Sequence, residues 1–214
     1  LAQPVNAVSS LAYVVVGLIV IVIAVRSRRS VAESVVFGVC LAAIGVGSVL
    51  FHGPQPAGSQ ILHDLPILIT VLFVVAVDVA LLWPRIRHPW VVFGAASVAA
   101  TALNVVSAEA GAAATGVAVV TAVGLEVLIY RRRARDIPAR RQLAIYGTIL
   151  AVAAVAAATW LLGRTGSPVC DPDSDVQLHA VWHLISASMF GLWWWLAFGV
   201  ERSETATEAV DITA

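Results

Sequence analysis

Long apolar stretches dominate this chain and limit what it can fold into. A helix rises about 1.5 Å per residue, so about 20 apolar residues cross a bilayer core that is about 30 Å thick. Seven stretches of the chain meet that length. They are Val8–Val25, Val31–Phe51, Ile61–Trp83, Trp90–Val106, Ala112–Tyr130, Gln142–Leu162 and Leu178–Val200. The sequence therefore predicts an all-α fold, a bundle of seven transmembrane helices.

The composition also indicates a membrane protein. Hydrophobic residues make up 60% of the chain and charged residues 12%, whereas about a quarter of the residues in a soluble globular domain are charged. The formal net charge of zero argues neither for nor against nucleic acid. We predict a membrane lipid as the partner and no nucleic acid. No long polar linker interrupts residues 1–200, which we interpret as one domain. Residues 201–214 form an acidic tail that is predicted to be disordered.

The positions of the arginines indicate the orientation of the helices. All 13 basic residues are Arg, and 12 of them follow the first, third or fifth stretch or lie in the C-terminal tail. Arginine-rich loops remain in the cytoplasm, so the N-terminus is predicted to lie outside and the C-terminus inside. This arrangement requires an odd number of spans, which independently supports seven. We expect a multi-pass protein of a bacterial plasma membrane.

Several polar residues within or near the stretches have an ordinary structural explanation. Glu33 and Asp78 fall near cytoplasmic helix ends, where water or arginines can reach them. Glu126 comes shortly before the arginines that begin at Arg131. His88 lies in a loop and is expected to be solvated. The two cysteines are expected at different depths in the membrane, and hence as free thiols.

A set of polar side chains is predicted at the outer ends of three helices. The set consists of Ser48, His52, His63, Asp64, His179 and His183. Two pairs within it are spaced four residues apart, which places both members of each pair on one helix face. Five of the six reach the same depth, whereas His63 is expected to point elsewhere on its helix. Ionisable residues inside a span are costly and usually mark a functional site.

Three histidines from two helices match a common arrangement of catalytic zinc, with the fourth position left open for water. We therefore predict that His52, His179 and His183 bind Zn²⁺. Asp64 is interpreted as the general base or as the group that orients the water. Ser48 is interpreted as a donor to the oxyanion that forms at a substrate carbonyl. Two alternatives remain: a hydrogen-bonded structural cluster of histidines, and haem bound through two of the same histidines.

Four short motifs of the chain also match those of a known family. The residues from Ser48 to His52 resemble a Ser-x-x-x-His motif, and those from His179 to His183 a His-x-x-Trp-His motif. Asp64–Pro66 resembles an acidic Leu-Pro motif, and Pro4–Tyr13 resembles an Asn-Thr-x-Ser-Asn stretch. All four belong to the alkaline ceramidases, whose superfamily also contains the adiponectin-type receptors. The resemblance covers nearly the whole chain.

The resemblance implies a zinc-dependent hydrolase that cleaves an amide bond of a ceramide-like lipid, with the five site residues given above. An ester bond of another acyl lipid is a further possible target, and a receptor or sensor on the same scaffold is the non-enzymatic alternative. Family members commonly carry Asp-Glu-Leu-Pro where this chain has His63–Pro66, which leaves open whether Asp64 or a neighbour is the base. Gln3 stands where the family has a Glu, and we do not predict calcium.

Overall fold

The computed structural model of the chain describes residues 1–28, 30–86, 88–133, 138–164, 166–171 and 174–198. These ranges contain eight α-helices and no β-strand. The helices are α1 (Pro4–Ser9), α2 (Leu11–Ser27), α3 (Val31–His52), α4 (Ser59–Leu82), α5 (Pro89–Val106), α6 (Ala108–Arg133), α7 (Ala139–Gly163) and α8 (Leu178–Phe198). With α1 and α2 taken as one span, the described ranges hold seven helices long and apolar enough to cross a membrane. The predicted fold class is confirmed; the predicted tail, residues 201–214, lies outside the described residues.

Several helices begin earlier than the apolar stretches that predicted them. The helix α6 begins at Ala108 rather than Ala112, so only Ser107 separates it from α5. Ser107 caps this helix, because its Oγ accepts a hydrogen bond of 3.2 Å from the amide of Ala110. The helix α4 likewise begins with polar residues, at Ser59. Helix ends can extend into the headgroup region because water there satisfies their free backbone groups.

The centre of the bundle is apolar and aromatic. The helix α4 contacts α3, α5 and α6, while α8 packs against α2 and α7. Phe37 on α3 and Phe73 on α4 are fully buried and stack with their ring centroids 5.4 Å apart. Asp78 is also fully buried on α4, so water, one of its two expected partners, does not reach it. Cys40 and Cys170 are free thiols, as predicted.

Two glycines allow helices to approach closely beside the predicted site. A Cβ atom at Gly47 would collide with the carbonyl oxygen of Leu62, so α3 and α4 meet backbone to backbone just before His63. A Cβ atom at Gly163 would collide with the backbone of His179 at the start of α8. Small residues at helix crossings are typical of membrane bundles. The first approach brings the polar residues of α3 and α4 together, and the second packs α7 against the start of α8 beside His179.

The N-terminal segment lies against the same end of the bundle. The amide of Gln3 donates to the carbonyl oxygen of His52 across 2.8 Å, and the amide of Ala2 donates to that of Gly53 across 3.1 Å. These two bonds tie the segment before α1 to the last residue of α3 and the loop after it. As a result, α1 lies beside the polar side chains that α3 and α8 carry.

Candidate metal centre

The three histidines predicted to bind metal come together at this end of the bundle. One ligand atom from each of His52, His179 and His183 lies within 4.8 Å of the other two. Their ring centroids are between 4.6 and 5.2 Å apart. His52 is the last residue of α3, whereas the other two lie in the first two turns of α8, where their rings contact that of His52. His52 and His183 are buried, with 4% and 2% of their surface exposed.

The state of the ring nitrogens fits a bound cation. Nε2 of His52 and Nδ1 of His179 are buried and make no hydrogen bond within the described part of the chain. Leaving a buried polar atom unpaired costs about 1–3 kcal/mol, and an ion that contacts both atoms would remove that cost. Neutral imidazole is a preferred ligand of zinc. These three residues could therefore hold a metal ion.

Side chains from the N-terminal segment hold two of these histidines in place. Oε1 of Gln3 accepts hydrogen bonds from Nδ1 of His52, at 2.7 Å, and from Nδ2 of Asn6, at 2.8 Å. Nδ1 of His183 lies 2.9 Å from the Oγ of Ser9. A partner at Nδ1 fixes the tautomer and the orientation of the ring and leaves Nε2 for a metal. The sequence motif near the N-terminus was the available signal for these contacts, but no role was assigned to its residues.

Replacement of Gln3 by Ala is expected to weaken zinc binding about 10- to 100-fold, the usual effect of losing a partner that orients a metal ligand. The reason is that Nδ1 of His52 loses its acceptor, so the ring is free to rotate and to change tautomer. The dissociation constant can be measured by competition between the metal-free protein and a fluorescent zinc chelator. Gln3→Glu is the matched control, since it keeps an acceptor oxygen and should retain the affinity. Equal affinities for wild type and Gln3→Ala would contradict a positioning role.

Ser48 lies one helical turn from His52 on α3 and is fully buried. Its Oγ makes no hydrogen bond with any residue that the structure describes. Most Ser and Thr side chains within helices donate to a carbonyl of the preceding turn, and Thr70 on α4 does so. The hydroxyl of Ser48 is therefore available to a ligand bound beside the histidines.

The structure corrects the expected position of His63. Its ring does not point away from the site but packs edge to face against His52, with centroids 5.7 Å apart. Adjacent residues of a helix point about 100° apart, and in this register His63 faces α3. Asp64 lies beside it: Oδ1 is 2.6 Å from Nδ1 of His63, and Oδ2 accepts a hydrogen bond from Gln60. His63 therefore contacts both the carboxylate of Asp64 and the ring of His52.

An apolar cavity of about 420 Å³ lies within the bundle next to the histidines, although none of the histidines lines it. Tyr13 and Ser186 line it at the end nearest the histidines, with their hydroxyl oxygens 2.6 Å apart. The ring of Tyr13 packs edge to face against His183, with centroids 6.0 Å apart. The rest of the wall is almost wholly aliphatic and aromatic. Pockets for small molecules typically measure about 300–1,000 Å³, and this wall suits a hydrocarbon chain.

Comparison with known proteins identifies one related family. A family model described as Ceramidase matches residues 1–210 of the chain. The match includes the N-terminal segment, the three histidines and every described helix. No curated protein matches the chain.

Proposed function

We propose that this chain, which belongs to the Ceramidase family, is a zinc-dependent intramembrane hydrolase that cleaves the amide bond of a ceramide-like lipid or an ester bond of another acyl lipid. The observation that carries the proposal is the closeness of the three-histidine cluster to an apolar cavity, since Tyr13 both lines the cavity and packs against His183. A lipid chain in that cavity would bring its polar linkage to the cluster. Family membership supports the same reaction class.

The residues around the cluster suit acyl transfer to water. A zinc ion bound by His52, His179 and His183 would act as a Lewis acid on the scissile carbonyl and on the attacking water. Ser48 is assigned to donate a hydrogen bond to the carbonyl oxygen as negative charge develops there. Asp64 is assigned to proton transfer. We propose that it acts through His63, whose ring stands between the carboxylate and His52.

The proposed orientation puts the N-terminus outside and the C-terminus in the cytoplasm, and the proposed location is a bacterial plasma membrane. The support is the placement of 12 of the 13 arginines on one side of the spans. The histidines lie at the opposite end of the bundle from most of these arginines, since they occupy the end of α3 and the start of α8. The scissile bond would then lie near the headgroups of the outer leaflet.

The test is hydrolysis of labelled lipids by the detergent-purified protein. We expect fatty acid to be released from at least one ceramide or acyl ester in a panel. A zinc chelator should abolish this release, because the three histidines alone provide no Lewis acid, and added zinc should restore it. Added magnesium is the control and should not restore it, because Mg²⁺ prefers oxygen ligands.

Two results would contradict the proposal and favour an alternative. Bound zinc without hydrolysis of any lipid in the panel would indicate a receptor or sensor that uses the same site. A Soret absorbance with little zinc would indicate haem ligation. The geometry speaks against haem, because the three imidazole rings contact one another and leave no gap for a porphyrin between two axial ligands.

A further inference from the structure

We propose that Trp193, held by Glu126, forms the inner floor of the apolar cavity and sets the length of the lipid chain that the protein accepts. This inference rests on the proposed lipid hydrolysis and assigns a function to a carboxylate and an indole that the chemistry at the histidines does not use. Both residues lie within the membrane-spanning helices α6 and α8.

The cavity has a definite direction along α8. Ser186 lines it one turn beyond His183, and Trp193 is the lining residue of α8 furthest from the histidines. Seven residues separate Ser186 from Trp193, which corresponds to about 10 Å along a helix axis. The lining residues of α4 cover the same distance, from Ile67 to Val74. A hydrocarbon chain whose polar end lies at the histidines would therefore point towards Trp193.

Packed aromatic rings fill the space behind Trp193. The indole ring packs against Phe37, with centroids 5.0 Å apart, and against Phe73, at 6.4 Å. Both phenylalanines are fully buried, and neither lines the cavity. Phe190, which does line it, contacts Phe37 at 6.2 Å. A chain that runs along α8 as far as Trp193 therefore meets packed aromatic rings.

Glu126 holds the indole of Trp193 in place. Nε1 of Trp193 donates a hydrogen bond of 2.6 Å to Oε1 of Glu126 on the neighbouring helix α6. Glu126 lies one turn beyond Ala122, which lines the cavity, so the bond lies at the end of the cavity away from the histidines. Acidic residues inside a span are costly and usually functional. Along α8, Trp193 lies about 15 Å from His183, too far for a role in bond cleavage.

A fixed floor makes the preferred chain length a property of the cavity. A chain shorter than the cavity leaves part of the wall without contacts, whereas a longer chain meets the indole. One methylene group more or less in an apolar pocket changes kcat/KM about 10- to 200-fold. The protein should therefore prefer a narrow range of chain lengths and discriminate most strongly against longer chains.

The test is the chain-length preference of a variant with a deeper cavity, Trp193→Ala combined with Glu126→Leu so that no unpaired carboxylate is left in the membrane. kcat/KM is measured on ceramides in which the acyl chain and the sphingoid chain are lengthened separately. In one of the two series, we expect the variant to favour longer chains. Its kcat/KM for chains longer than the wild-type optimum, divided by its kcat/KM at that optimum, should be about tenfold higher than in wild type. Trp195→Ala is the matched control, because Trp195 is half exposed at the surface of the bundle and does not line the cavity.

A second measurement does not depend on turnover. Fatty acids of increasing length are added to the metal-free protein, and the rise in Tm is recorded; we expect the most stabilising length to be longer for the double variant than for wild type. If the double variant does not fold, Trp193→Phe replaces it in the experiment. This variant keeps a ring but loses the bond to Glu126, and the preferred chain length should shift in the same direction by a smaller amount. An unchanged preference in both measurements would overturn the inference. Failure of wild type to cleave any lipid would instead contradict the proposed function, while the binding series still tests the floor.

Discussion

Replacement of His179 and His183 by Ala in the same chain is expected to remove zinc and to abolish lipid hydrolysis. The double variant keeps one of the three imidazoles that converge within 4.8 Å, and a single imidazole cannot hold zinc against water. Loss of a single oxyanion-stabilising donor lowers kcat by about 10²–10³-fold, so loss of the metal should lower it further. Elemental analysis of detergent-purified protein gives the zinc content, and release of labelled fatty acid gives the activity.

His88→Ala is the matched control for this experiment. His88 is exposed in the loop before α5 and lies outside the metal centre, so its replacement should change neither the zinc content nor the activity. Wild type prepared without chelator should contain about one zinc per chain. A folded wild type without zinc would reduce the three histidines to a polar cluster or to ligands of another group, and the hydrolase proposal would not survive it.

The convergence of the three histidines was predictable because it follows from regular geometry. A spacing of four residues places His179 and His183 on one face of any α-helix. Span length and the alternation of the helices give the depth at which His52 ends α3. Neither step requires knowledge of how side chains pack. The same reasoning gave the seven spans, because the length of an apolar stretch depends only on the thickness of the bilayer.

The contacts that complete the site were not predictable in this way. Gln3 is 49 residues from His52 in the sequence, and Ser9 is 174 residues from His183, so no periodic pattern relates them. The hydrogen bond between Glu126 and Trp193 joins two residues that lie on different helices and are 67 positions apart in the sequence. Without that partner, Glu126 was interpreted as a residue near the arginines. Such pairs depend on which helices are neighbours, and an apolar stretch carries no information about its neighbour.

The wrong expectation for His63 has a different cause. Two adjacent residues of one helix cannot both face the same neighbour, because they point about 100° apart. The rotation of α4 decides which of His63 and Asp64 faces the histidines, and α4 packs closely against α3 at Gly47, next to these residues. When the sequence motif is interpreted without this packing, Asp64 is placed on the side of α4 that faces the histidines. In the structure this position is that of His63, whose ring contacts both His52 and the carboxylate of Asp64.

Replacement of Asp64 by Ala is therefore expected to lower kcat by about 10²–10⁴-fold, the usual contribution of a general acid–base group, while the zinc content stays at the wild-type level. The carboxylate is not among the three ligands, so the metal should remain. Its Oδ1 lies 2.6 Å from Nδ1 of His63, so the variant loses the group that orients this ring. The value of kcat and the zinc content can be measured on the same purified samples.

The variants His63→Ala and His63→Ala/Asp64→Ala distinguish a relay from direct action by Asp64. Residues that act as one unit lose about as much activity singly as together, so a relay predicts three similar values of kcat. If Asp64 acts directly on water, His63→Ala should retain most of the activity, because the carboxylate keeps its bond to Gln60. Full activity in Asp64→Ala would contradict both versions and would leave the proton transfer to another group. The relay is the version that the geometry favours, because the ring of His63, and not the carboxylate, packs against His52.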